Sequence, residues 1–278
     1  MSKVLRQSVL RTLGAAITAA LIVCVWLSRA EGAPQAAGRS ARQGAPSPAA
    51  GRSAPPKPAP AGTQAISAPP LPGVRPQVIT HLAVSRKVIA LTFDACQTEQ
   101  PARYDAAIIR ILQTTHTPAT LLLGGRWMET HPEETRALAR DPLFELGNHS
   151  YIHPHMTRVS AQRAAAEMQK PQDILYRLTG KQGTLFRPPY GEYNEALVKS
   201  AALLGLRTLK WSIVTGDPDP HVSAKAITQT VLAQARPGAI IIMHVNGRGW
   251  HSAEALPTLI QTLRARGYTF VKVSDALP

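Results

Sequence analysis

From residue 81 onward, short apolar runs alternate with segments of helical period, and this alternation limits the fold more than any other feature of the 278-residue chain. Repeated strand–helix units favour a parallel sheet with right-handed crossovers. The predicted strands are 88–93, 119–123, 143–146, 184–186, 207–214, 239–243 and 268–273, and the predicted helices are 104–114, 128–139, 160–178, 193–204, 223–235 and 252–266. We therefore expect an α/β fold, a distorted parallel (β/α) barrel of about seven strands in a single domain over 81–278. An open, doubly wound sheet is the alternative.

Polar side chains stand at the carboxyl ends of five predicted strands. They are Asp94, His149, Arg187, Asp217 and His244. In a barrel these strand ends converge on one rim, where such folds place their catalytic groups. A carboxylate, histidines and a guanidinium form the inventory of a metal-assisted hydrolase rather than of a packed core, so the domain is expected to be an enzyme.

Two of these segments carry further local signals. His149 and His153 are four residues apart, and a helical turn would put both imidazoles on one side to share a metal ion. Taken alone, such a pair is more often an ordinary surface or capping feature. Arg187 precedes two prolines that stiffen its loop and aim the guanidinium at a carboxylate.

The order and types of these residues resemble the polysaccharide deacetylases, the family four carbohydrate esterases. The resemblance covers about residues 85–275: HSYIH (149–153) is similar to the metal-binding H-S/T-x-x-H of that family, and RPPYG (187–191) matches its third motif. IIIMH (240–244) resembles the final apolar strand that leads to the catalytic histidine. The resemblance implies a barrel of seven or eight strands and a hydrolase that removes acetyl groups from amino sugars, acting on non-peptide carbon–nitrogen bonds.

The chain departs from the family pattern at two motifs. The first motif of the family is TFDDG, whose second Asp is a metal ligand, whereas residues 92–96 read TFDAC. The fourth motif, D-x-x-D-W, is reduced to VTGDP (214–218), which keeps one acid. Since Ala95 cannot bind a cation, three alternatives remain: Asp94 becomes a ligand, Asp105 or Cys96 reaches in, or the metal is weakly bound or absent.

The resemblance also implies roles for individual residues. His149 and His153 are expected to bind a divalent metal, with Zn²⁺ as the expected ion. The expected catalytic residues are Asp94, Arg187, Asp217 and His244. The backbone N–H of Tyr190 is expected to bind the oxyanion, and the expected substrate contacts are Pro189, Tyr190 and Trp250. The expected substrate is an N-acetylated, less often O-acetylated, glycan outside the cytoplasm, such as peptidoglycan or a chitin-like polymer. Two alternatives stay open: a non-catalytic glycan-binding protein on the same scaffold, and a hydrolase of another carbon–nitrogen amide bond.

The first 30 residues have the pattern of an export segment. Lys3, Arg6 and Arg11 precede an apolar run over 13–27, and small residues follow near position 30. We expect a cleaved signal peptide, with an uncleaved membrane anchor as the alternative, because Arg29 lies inside the cleavage motif. The protein is then periplasmic, secreted or anchored on the outer side of the inner membrane.

Residues 31–80 are rich in Ala, Pro, Gly and Ser with scattered basic residues, and we expect a disordered linker. Residues 1–80 hold nine Lys or Arg against one acid, and the remainder holds 22 against 16. No basic stripe interleaved with aromatics occurs in the folded part, so nucleic acid is not an expected partner. The only cysteines are Cys24 and Cys96, and loss of the first 30 residues would leave one, excluding an internal disulfide.

Overall fold

The computed structural model describes residues 67–96 and 102–277. Within these ranges the chain forms nine β-strands and seven α-helices. The strands are β1 (Val78–Ile79), β2 (Val88–Ala95), β3 (Ala119–Leu123), β4 (Phe144–Asn148), β5 (Leu185–Phe186), β6 (Arg207–Leu209), β7 (Ile213–Val214), β8 (Ala239–His244) and β9 (Thr269–Phe270). The helices are α1 (Ala106–Thr114), α2 (Gly125–Thr130), α3 (Pro132–Arg140), α4 (Ala161–Thr179), α5 (Glu195–Leu203), α6 (Ala224–Gln234) and α7 (Ser252–Ala265).

The strands pair in parallel in the order β1-β6-β5-β4-β3-β2-β8-β7, with β9 beside β2. β6 lies near one end of this order and β7 at the other, yet only residues 210–212 separate them in the chain. In this segment the N–H of Lys210 donates to the carbonyl of Ile79 (2.7 Å), and the N–H of Ser212 donates to that of Ile240 (2.9 Å). The segment thus joins the two edges of the curled sheet, and the predicted distorted parallel (β/α) barrel is confirmed.

Strand β2 is completely buried and alternates its side chains between two cores. Odd-numbered residues such as Leu91 and Phe93 pack in the layer between sheet and helices, while Val88 and Ala90 belong to the core enclosed by the sheet. Because side chains alternate along a strand, Asp94 shares the inner side with the even-numbered residues. Burial of each large apolar side chain here contributes about 1.5–3 kcal/mol to folding.

Two predicted elements are interrupted in the structure. The predicted strand 207–214 is two strands, because residues 210–212 bend from one edge of the sheet to the other. The predicted helix 128–139 is also divided, since α2 ends and α3 begins at His131, whose φ of −129° is not helical. The cause is Pro132, which disfavours helical backbone at the residue before it and is well placed as the first residue of a helix.

The folded domain begins before residue 81, which corrects the predicted end of the linker. The N–H of Ala68 donates to Asp173 (2.9 Å) and that of Val74 to the carbonyl of Ala202 (2.9 Å). β1 then pairs with β6. These partners are all remote in the sequence, and the extended, Pro-rich segment has no periodicity to signal them.

The predicted export segment and the linker up to residue 66 lie outside the described residues. Within the part that the structure describes, none of the helices combines the length and the apolar character needed to cross a membrane.

Candidate active site

Asp94 and His244 lie side by side at the carboxyl end of the barrel. Asp94 is the last residue but one of β2, His244 is the last residue of β8, and the two are register partners on neighbouring parallel strands. Adjacent strands run about 4.8 Å apart, so the two side chains address the same region. Asp94 is buried, with 3% of its surface exposed, whereas His244 is partly open. The sequence prediction that these residues gather at one rim is therefore met.

Arg187 is fully buried and holds the Asp94 carboxylate. Its Nη1 donates to Oδ1 of Asp94 (2.6 Å), while Nη2 donates to Oγ1 of Thr92 (2.7 Å) and to the carbonyl of Lys210 (3.2 Å). Burial alone would raise the pKa of Asp94, but the charge and the hydrogen bond of Arg187 are the main contributions that lower that pKa below the usual value. Asp94 is consequently an ionised carboxylate whose second oxygen, Oδ2, is not used by the guanidinium.

The first histidine of the HSYIH segment is buried and oriented by the backbone. Nδ1 of His149 lies 2.8 Å from the carbonyl oxygen of Arg187, so Nδ1 carries the hydrogen and donates it. Nε2 is then presented to the site, 3.6 Å from Oδ2 of Asp94. Burial lowers the pKa of His149, which favours the neutral imidazole that binds metals.

The HSYIH segment is a loop, and the helical turn expected from its spacing is wrong. Ser150 and His153 both have left-handed backbone, with φ of 62° and 61°. Local hydrogen bonds stabilise this shape: the N–H of Ser150 donates to Oδ1 of Asn148 (2.9 Å), and the N–H of His153 donates to Oγ of Ser150 (3.0 Å). The loop nevertheless brings the rings of His149 and His153 to a centroid distance of 4.9 Å.

The donor atoms of His149, His153 and Cys96 are arranged in a way that fits a metal ion. Nδ1 of His153 is buried without a hydrogen-bond partner. Donor atoms of His149, His153 and Cys96 all lie within 4.8 Å of one another, and this is the group of potential ligands found among the described residues. Asp105 instead lies at the start of α1 and accepts from the N–H of Gly247 (2.7 Å), so it does not supply the missing ligand.

Burial and nearby charges set the protonation states of the other two donors, His153 and Cys96. Burial, together with the positive charge that His149 carries when protonated, lowers the pKa of His153 to about 3, so its imidazole is neutral near pH 7. Burial, followed by the negative charge of Asp94, raises the pKa of Cys96 to about 12. The free protein therefore holds neutral donors at both positions.

Asp217 fixes the orientation of His244. Its Oδ1 lies 3.0 Å from Nδ1 of His244, and its Oδ2 accepts from the backbone N–H of the same histidine (2.7 Å). Thr215 and Ser252 complete the carboxylate shell with hydroxyl donors at 3.0 and 2.8 Å. The sequence analysis missed both hydroxyls. Thr215 stands two residues before Asp217 in a turn pattern that signals such a bond, whereas Ser252 is 35 residues away and has no local signal.

The RPPYG segment forms a tight turn over Pro189–Gly191 with Tyr190 at a φ of 58°. The Tyr190 ring is stacked on His155 (centroids 4.2 Å apart) and meets the edge of His153 (4.5 Å). His155 in turn contacts Glu192 through Nδ1 (2.9 Å). The predicted oxyanion residue is thus held at the site by aromatic contacts that the sequence did not reveal.

A cavity of about 230 Å³ joins these groups. Its lining includes Asp94, His149, His153, Tyr190, Trp211, Asp217, His244 and Arg248. Of the three predicted substrate contacts, only Tyr190 is in this lining. Pro189 is buried and is not part of the lining, and Trp250 is 56% exposed and also outside it. Their roles stay predictions.

A parallel barrel that gathers an ionised carboxylate, a histidine–aspartate pair and neutral metal-binding donors around one cavity has the architecture of a metal-assisted hydrolase. Residues 81–209 match the family model for polysaccharide deacetylase. The chain is 30% identical over 194 residues to the peptidoglycan-N-acetylmuramic acid deacetylase PdaA of Bacillus subtilis. The aligned region covers 69% of this chain and 72% of that protein. The chain therefore belongs to the polysaccharide deacetylase family.

Solved structures agree with this assignment. The Bc1960 peptidoglycan N-acetylglucosamine deacetylase superposes with a TM-score of 0.67 at 29% identity, covering 72% of this chain and 92% of that one. BA3943 from Bacillus anthracis, described as a pseudoenzyme of the same carbohydrate esterase family, also gives a TM-score of 0.67, at 28% identity, covering 74% and 70%. The same scaffold thus carries both an enzyme and a pseudoenzyme.

Proposed function

We propose that this protein hydrolyses acetyl groups, chiefly N-acetyl groups, on a glycan outside the cytoplasm such as peptidoglycan or a chitin-like polymer, releasing acetate. The observation that carries the proposal is the register pairing of Asp94 with His244 beside the two histidines of the HSYIH loop. An acid and a base that line one cavity suit amide hydrolysis, where water must lose a proton and the leaving amine must gain one. The peptidoglycan deacetylases among the relatives support the substrate class.

The division of labour follows from the hydrogen bonds. Asp94 keeps Oδ1 on Arg187, so Oδ2 is the oxygen that accepts the proton of the attacking water. His244 keeps Nδ1 on Asp217, so Nε2 is the nitrogen that delivers a proton to the departing amine. The backbone N–H of Tyr190 is proposed to stabilise the oxyanion. A divalent ion, with Zn²⁺ as our expectation, supplies when bound a Lewis acid for the carbonyl and the water.

The proposal is tested by acetate release from N-acetylglucosamine oligomers and from peptidoglycan, with and without chelator. Asp94→Asn and His244→Ala should each lower kcat at least about 100-fold, the usual contribution of a positioned acid or base. His221→Ala is the matched control, because His221 is exposed and outside the cavity lining. Full activity in both Asp94→Asn and His244→Ala would refute the assigned roles.

A second candidate, a non-catalytic glycan-binding protein, is favoured by Ala95 and by the pseudoenzyme among the structural neighbours. This candidate predicts that the protein binds the glycan without releasing acetate, and that a chelator does not change its affinity for the glycan. The paired groups Asp94–Arg187 and His244–Asp217 argue for the enzyme, since a binding module needs neither.

Export is part of the proposal and rests on residues 1–30, whose basic start and apolar run suit a signal peptide or anchor. Cell fractionation tests it: the protein should be recovered outside the cytoplasm, and should stay in the cytoplasm when residues 1–30 are deleted. N-terminal sequencing of the recovered protein then separates cleavage from anchoring.

A further inference from the structure

The identity of the third metal ligand is the open chemical question at this site. The side of β2 on which each side chain lies bears on the answer. Ala95 is fully buried in the core between sheet and helices, together with Phe93. Asp94 faces the opposite side, and Cys96 follows it by two residues, the spacing that returns a side chain to the same side of an extended chain. Cys96 therefore projects to the side on which Asp94 lies, while Ala95 offers no donor atom to a cation.

Distances support this placement. The sulfur of Cys96 and one nitrogen each of His149 and His153 lie within 4.8 Å of one another. At Zn–S and Zn–N lengths of about 2.3 and 2.1 Å, tetrahedral donors are separated by roughly 3.5 Å. Each donor pair has to close by no more than about 1.3 Å on metal binding, which is within reach of side-chain rotation.

The other contacts of these donors leave the right atoms available. His149 uses Nδ1 on a backbone carbonyl, and Nδ1 of His153 is buried with no hydrogen-bond partner. Cys96 is 2% exposed and is held by Asn246, whose Nδ2 donates to the Cys96 carbonyl (2.7 Å) and lies 3.5 Å from its sulfur. A buried thiol, an imidazole nitrogen without a hydrogen-bond partner and an amide beside the sulfur are compatible with a thiolate-containing metal site.

We propose that Cys96 is the third protein ligand of the metal at this site, bound as a thiolate in place of the carboxylate that the family pattern has at position 95. Binding forms the sulfur–metal bond and releases the thiol proton to solvent. The thiolate keeps the charge of −1 that a carboxylate would have supplied, so the ion remains equally neutralised. Three protein ligands leave a fourth position for water, as in catalytic zinc sites.

A thiolate ligand in place of a carboxylate changes which metal ion the site prefers. Thiolate is a soft donor, so the centre should select Zn²⁺, Co²⁺ or Cd²⁺ over the harder Mg²⁺ and Mn²⁺. The inference rests on the proposed function only in assuming that a divalent ion is used, and ligation by sulfur can be measured without any substrate.

The experiment is a Co²⁺ titration of the full-length Cys24→Ser variant, in which Cys96 is the only thiol. We expect one Co²⁺ per chain and a sulfur-to-cobalt charge-transfer band in the near ultraviolet, which Zn²⁺ removes by competition. Absence of the band, whether or not equilibrium dialysis detects bound Co²⁺, would overturn the proposal. This test uses a chain with Cys96 intact, so it does not depend on whether substitutions at Cys96 fold.

Substitutions at Cys96 provide the matched comparison. Cys96→Ser should abolish the band and weaken Co²⁺ binding at least about 10-fold, whereas Cys96→Asp should restore binding without the band. A band that persists in Cys96→Ser would contradict the assignment. Acetate release is measured on the same samples: a sulfur band without acetate refutes the proposed function alone, and chelator-sensitive acetate release without a sulfur band refutes the ligand alone.

Discussion

The charged side chain of Arg187 has no exposed surface, so the groups that it contacts have to stabilise its charge. It joins the ionised Asp94, the hydroxyl of Thr92 and the carbonyl of Lys210, two points on β2 and one on the closing segment 210–212. A buried charge is costly unless it is paired and hydrogen-bonded. The same contacts that stabilise the guanidinium therefore keep Asp94 ionised and aligned.

Replacing the guanidinium tests this dependence. Arg187→Met should lower the free energy of unfolding by about 3–5 kcal/mol, because it leaves the Asp94 carboxylate buried without its partner. Urea unfolding followed by circular dichroism measures the change. Arg136→Met is the control: its pair with Glu133 lies at the surface, and its loss should cost no more than about 1 kcal/mol. Equal losses for the two variants would contradict the argument.

At the scale of elements, helix α4 shapes the HSYIH loop. Glu167 lies on this helix with 2% of its surface exposed, and its Oε2 accepts from the backbone N–H groups of Tyr151 and Ile152 at 3.0 Å each. Its other oxygen pairs with Arg163. The loop conformation that brings the two histidines together is thus anchored by one helical carboxylate that touches neither of them.

Removing this anchor should loosen the loop. Glu167→Ala leaves two partly buried N–H groups without their acceptor, at about 1 kcal/mol each, so we expect a loss of about 2 kcal/mol in unfolding free energy. Glu167→Gln keeps one acceptor oxygen and should lose about 1 kcal/mol. Chemical denaturation measures both. Equal stability of the Ala and Gln variants would show that the loop does not depend on this carboxylate.

The sequence was sufficient for elements whose signal is local. Apolar runs located the strands from β2 to β5, and the strand-end rule located Asp94, Arg187 and His244, because parallel strands deliver their carboxyl ends to one rim. β1 was missed, since two residues after a Pro-rich stretch carry no periodicity. The left-handed residues Ser150 and His153 were also missed, because their conformation is imposed by Asn148 and by remote Glu167.

At the scale of the whole molecule, β1 supports the closure of the barrel. The carbonyl of Ile79 accepts from Lys210, whose own carbonyl accepts from Arg187. A chain of hydrogen bonds therefore links the first described strand to the carboxylate of Asp94. The short segment before residue 81 contributes to the site although it is remote from it in the sequence.

Truncation tests this link. A chain that begins at residue 67 should be more stable than one that begins at residue 81, by about 2–4 kcal/mol, because the shorter chain loses the β1–β6 pairing and the burial of Ile79. Comparing the two isolates the effect of residues 67–80. Thermal unfolding of both proteins is the measurement, and identical midpoints would place the domain start at 81 after all.

The pairing of Asp94 with His244 also bears on how this scaffold can diversify. A one-residue insertion in either strand would turn the side chains that follow it to the other side of the sheet and separate Asp94 from His244. Length changes are expected to be tolerated best in the loops beyond the strands, including the stretch around Trp250. New substrate preferences should therefore be sought by grafting and lengthening those loops, while the two strands are left untouched.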